Sequence, residues 1–144
     1  MKFTEAEAPL TEDDVSAAEM HAGVLLPREL RRQYLQSNGG IPEPYVYEDD
    51  NLDTVVAEYL PLKSSRGTGT AVDAYRNLVL SKKIVPPNFF PFAVDGGGDY
   101  FFLDCSSPDG LVYFYRGDTS DDETQRLLAL NIGIGEFWSR LKEE

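Results

Sequence analysis

FFPFAVDGGGDYFFLDCSSPDGLVYFY, residues 89–115, is the stretch that decides the fold. Three runs within it, 89–94, 100–104 and 111–115, have the aromatic and β-branched content of strands. Between them stand Asp95-Gly96-Gly97-Gly98-Asp99 and a segment ending in Pro108-Asp109-Gly110, both of which carry turn chemistry. Connectors this short cannot hold the crossover that parallel strands need, so an antiparallel meander follows.

Upstream of the meander, Thr70 can cap the backbone N–H of Asp73, and Val72, Tyr75, Leu78 and Val79 make the apolar stripe of a helix. Pro86-Pro87 forbids that helix from continuing. Residues 63–69 are a polar loop, and Tyr45-Val46-Tyr47 and residues 55–60 predict short strands around the acidic turn Glu48-Asp49-Asp50-Asn51. Two helices open the chain. Thr11 caps the first, over residues 12–22, where Glu12, Asp13 and Asp14 sit at the positive dipole end, Leu10 staples onto Val15 and Gly23 closes it. The second begins with Pro27 at its first helical position and carries Leu26, Leu30, Tyr34 and Leu35. Asn38-Gly39-Gly40 is expected to cap it in the left-handed conformation, and Ile41-Pro42-Glu43-Pro44 forces an extended exit.

Downstream, Ile134, Phe137, Trp138 and Leu141 stand at helical spacing and predict an amphipathic helix over residues 132–142. Helices followed by strands give an α+β class: one domain over residues 1–144, a largely antiparallel sheet flanked by helices. The length of 144 residues and the 42% apolar content suit one core.

Charge narrows the partner. Thirteen Lys and Arg against 25 Asp and Glu give −12. That excess disfavours nucleic acid, whose affinity comes from cations displacing backbone counterions, and an anionic membrane surface for the same reason. The charge alternates in blocks, with residues 41–60 summing to −6 and residues 61–83 to +4. The lone Cys105 allows no internal disulfide, and no stretch has the length of a signal peptide or a spanning helix, so a soluble cytoplasmic protein is expected.

Catalytic patterns are missing. The one histidine, His21, falls near a helix end and suits a structural role at the dipole. Cys105 after a strand has the position of a small buried hydrophobe. The spacing of Asp95, Asp99, Asp104 and Asp109 does not follow a calcium loop, so neither metal nor cofactor is expected. Asp95, Gly98 and Asp99 belong either to a hairpin turn needing positive φ or to a ligand or partner contact. Glu48, Asp49, Asp50 and Asp53, and Asp118, Asp121 and Asp122, are solvated turns or surfaces that steer a basic partner. Tyr45 and Tyr47 adjoin the first cluster, and Tyr113 and Tyr115 precede the second. Period-two strand geometry puts each pair on one face, directed either to a partner or to the core.

Leu26-Pro27, Asn38-Gly39-Gly40, Pro91-Phe92-Ala93, Asp95, Gly98-Asp99-Tyr100, Leu103-Asp104 and Gly110-Leu111-Val112, in that order, resemble the SUKH superfamily. That group includes the Smi/Knr cell-wall regulators of fungi and many bacterial immunity proteins. The resemblance runs from about Leu10 to Leu141, and Gly135-Glu136-Phe137-Trp138 is similar to the family's C-terminal aromatic helix. It implies an α+β domain without catalytic machinery. It also implies a protein that binds and neutralises a cognate toxin, often a nuclease, of a polymorphic toxin system. A regulatory or scaffold module of the Smi/Knr type is the alternative it implies. A −12 protein is electrostatically suited to cover a basic nuclease.

Overall fold

The computed structural model describes residues 1–117 and 126–144. Its main sheet has six antiparallel strands in sequence order: β3 (Val46–Glu48), β4 (Asp53–Tyr59), β5 (Phe89–Asp95), β6 (Tyr100–Asp104), β7 (Leu111–Tyr115) and β8 (Leu127–Gly133). The predicted meander forms its centre, with Phe90 opposite Leu103 and Phe101 opposite Phe114. A second, two-stranded sheet joins β1 (Lys2–Thr4) to β2 (Ile41–Glu43).

Helices α1 (Glu12–Ala22) and α2 (Arg28–Gln36) precede the sheet. Thr11 and Asp14 form the reciprocal capping box at the start of α1, and Gly23 closes it at φ 77°. Arg31 locks the two helices together, donating to Glu19 at 2.6 Å and Glu12 at 2.8 Å. Helix α3 (Ala71–Tyr75), capped by Thr70 and Asp73, runs into a π-helical segment, Arg76–Ser81. Helix α4 is Ile134–Ser139.

Four expectations need correction. Pro27 is the residue before α2 and not its first helical position. Asn38-Gly39-Gly40 does not cap that helix, which ends at Gln36 with Ser37 extended. Asn38 is instead buried, and its amide donates to the carbonyls of Ala8 (2.9 Å) and Lys63 (2.8 Å) while its Oδ1 accepts from Leu62 N–H (3.0 Å). Gly39 and Gly40 have positive φ, and a Cβ on Gly39 would sit 2.8 Å from backbone atoms of Tyr59 and Pro61, so close backbone approach requires the glycine. The third helix stops at Ser81, and Lys83 turns the chain at φ 54° well before the prolines. Finally, the helix expected over residues 132–142 is shorter, because residues 127–133 are a strand.

Helix α4 crosses one face of the curled sheet. Phe137 stacks on Tyr47 at 5.3 Å and packs against Phe101 at 4.9 Å, and Trp138 meets Tyr59 at 5.2 Å and Phe92 at 5.8 Å. Tyr34 of α2 stacks on Tyr59 at 4.7 Å and donates its hydroxyl to the Leu60 carbonyl. The chain then reaches the outer edge of β3, where Lys142 and Val46 exchange both backbone hydrogen bonds. Phe101, Phe102 and Leu103 are consecutive and fully buried, so the central strands are covered on both faces.

Candidate functional site

The acidic turn between β3 and β4 is built around Asp49. Its Oδ1 accepts from the N–H groups of Asn51 (2.7 Å) and Leu52 (2.8 Å), and its Oδ2 from the Tyr47 hydroxyl at 2.7 Å. Desolvation pushes this carboxyl up, but the Tyr47 hydroxyl and the two N–H groups together hold it below the usual carboxylate range. Glu48 pairs with Lys142, while Asp50 and Asp53 are exposed to solvent.

The turn between β5 and β6 is built around Asp95, which is buried at 8% exposure. Its Oδ1 accepts from Gly97 N–H (3.0 Å) and Asp99 N–H (2.8 Å), and its Oδ2 from the Thr54 hydroxyl (2.8 Å). Gly98 takes φ 90°, the conformation a tight turn asks of glycine. The Asp95 carboxylate thus organises the turn from within, leaving Asp99 nearer the surface.

Three contacts draw these turns together at one end of the sheet. Gly96 N–H donates to the Val55 carbonyl (2.9 Å), Arg116 Nη2 to the Asn51 carbonyl (2.8 Å), and Gly117 N–H to Asp99 Oδ1 (3.0 Å). Glu48, Asp49, Asp50, Asp53, Asp95 and Asp99, from turns far apart in sequence, therefore share one end of the sheet with Arg116. Asp118, Asp121 and Asp122 lie outside the described residues.

The tyrosines divide. Tyr45 and Tyr47 do not share a face: Tyr47 is fully buried in the core, and its hydroxyl alone reaches the turn. Tyr45 precedes β3, is exposed, and meets Glu144 at 3.4 Å beside a groove of about 560 Å³ that Glu43 and Glu143 also line. Tyr113 and Tyr115 do share a face and are half-buried, with Tyr115 opposite Tyr100 across the β6–β7 ladder. Sequence reasoning passed over Tyr100 and Arg116. The available signal was their position, since each abuts the end of a strand next to an acidic turn.

Elsewhere the nucleophilic chemistry is weak. Burial, with Asp104 and Glu19 nearby, pushes the Cys105 thiol up to about 12, which keeps it protonated at neutral pH. The His21 carbonyl accepts from Arg76 at 3.2 Å. Among the described residues, no three His, Cys, Asp or Glu side chains gather to hold a metal ion, and no helix is long and apolar enough to cross a membrane.

A mainly antiparallel sheet, crossed by an aromatic C-terminal helix and flanked by N-terminal helices, defines an α+β protein whose polar side chains gather in turns. The chain belongs to the SMI1 / KNR4 family (SUKH-1), whose profile matches residues 9–133. No curated relative and no solved structure matches it.

Proposed function

We propose that this protein is a non-enzymatic, cytoplasmic immunity protein that neutralises a cognate toxin by stoichiometric binding, with the acidic turn end of the sheet facing a basic toxin domain. The observation that supports this best is the convergence of turns 48–53 and 95–99, which concentrates carboxylates that the sequence keeps apart. Membership of a family that includes immunity proteins supports the class. A concentrated patch of one sign accelerates encounter with an oppositely charged partner and orients it. A nuclease toxin is the best electrostatic fit, because its own substrate is a polyanion.

Co-expression with the product of a neighbouring toxin-like reading frame tests this reading. A complex that co-purifies and restores growth supports it. No complex and no rescue contradicts it and favours the regulatory or scaffold role.

A further inference from the structure

The two edges of the main sheet are treated differently. At β3 the edge is three residues long, carries Glu48, and is closed where Lys142 pairs with Val46. At β8 the strand is seven residues long, Leu127-Leu128-Ala129-Leu130-Asn131-Ile132-Gly133, with neither charge nor proline. Its ladder is interrupted between Ala129 and Gly133, where Asn131 takes φ 60°, so residues 127–129 are the regular part of the edge. Among the described residues, no backbone group pairs with its outer side. Proteins ordinarily blunt such edges with lysine, proline or a covering segment, and an open edge is a template for another strand.

The ladder shows which groups are on offer. Arg116 N–H donates to the Arg126 carbonyl at 2.7 Å, so residues 126 and 128 turn their backbone groups toward β7. By alternation, Leu127 and Ala129 present their N–H and C=O groups outward. On one face, Tyr115 stands opposite Leu127 and Tyr113 opposite Ala129, an apolar shelf for alternate side chains of an incoming strand. Leu127 begins one residue beyond the Arg116–Arg126 contact, beside the end of the sheet where Asp99 holds Gly117.

We propose that the β8 edge, at Leu127 and Ala129, takes up an extended, basic segment of the protein partner by strand addition. This rests on the reading of a basic protein partner given above. The net charge of −12 argues for such a segment over a second copy of the chain, which the first would repel.

The probe is an acetylated octapeptide of alternating Lys and Val, with its Glu–Val counterpart as control, read by amide hydrogen exchange on the intact protein. The Lys–Val peptide should slow exchange at Leu127 and Ala129 at least tenfold, with no such change from the Glu–Val peptide. Ala129→Pro removes an outward N–H that the β7 ladder does not use, so it should leave the melting curve in place and abolish the protection at Leu127, the outward amide that remains. Four results would overturn the proposal: amides already protected in the free protein, no gain with peptide, equal gain with both peptides, or protection that rises with protein concentration alone. The two readings fail separately. A toxin that binds wild type and Ala129→Pro equally sinks strand addition and leaves immunity standing. Edge protection by peptide without capture of the neighbouring toxin does the reverse.

Discussion

At the residue scale, a few polar side chains hold together segments that the sequence separates widely. Asn38 bonds Ala8, Leu62 and Lys63 from a buried position, so Asn38→Ala strands two acceptors and one donor of other segments. At ~1–3 kcal/mol for each unmet buried group, partly relieved by water, about 3 kcal/mol is expected, a fall in Tm of about 10 °C by calorimetry. The pattern Asn-Gly-Gly is equally good chemistry for a helix cap, and only the approach of Tyr59 and Pro61 distinguishes the two uses. Asp49, Asp14 and Asp104 all have carboxyls held below their ordinary range. Hydrogen bonds outweigh burial at Asp49 and Asp104, and the Thr11 N–H leads at Asp14. A depressed folded-state value stabilises above the unfolded value of about 3.9 and loses that contribution as pH falls through the folded one. Glu58, raised by burial, works in the opposite sense and only partly offsets them. Melting temperature should therefore drop below about pH 4, and less steeply in Asp49→Asn, as thermal scans from pH 3 to 6 will show.

At the element scale, what was legible followed local chemistry. Both capping boxes, the first helix to the residue, and the three strands of the meander came from residues that bond or pack close to their own position. What was not legible depends on distant partners. Strand β2 was recognisable as extended from its prolines, but its pairing with β1 joins residues about 40 positions apart. Strand β8 was hidden because its leucines show no clean alternation and its ladder is interrupted between Ala129 and Gly133. Asn131 takes φ 60° at that interruption. Asn131→Gly should thus raise stability by up to about 1 kcal/mol in urea titration, whereas Asn131→Val should lower it. In α4, Phe137 contacts Tyr47, Phe92, Phe101 and Trp138, and Phe137→Ala should cost about 4 kcal/mol by the same measurement.

At the scale of the whole molecule, the sheet's curl carries the argument. It lets α4 run from β8 across to β3, and it brings turns 48–53 and 95–99 to one acidic end beside Arg116 and Gly117. The clustering of acidic residues was visible in the sequence, but their meeting was not, because Arg116 to Asn51 and Gly117 to Asp99 are contacts across strands. Within that end, the carboxylates differ in what they can offer a partner. Asp49 and Asp95 are engaged in holding their own turns, and Glu48 is paired with Lys142, whereas Asp50 and Asp53 are exposed and stand outside the turn's hydrogen bonds. The most direct measurement is the association rate of the neighbouring-gene toxin with wild type and with Asp50→Asn/Asp53→Asn, across a salt series. If the acidic end steers the toxin, the variant associates at least about threefold more slowly at low salt and converges with wild type at high salt. Identical rates and identical salt dependence would contradict the account.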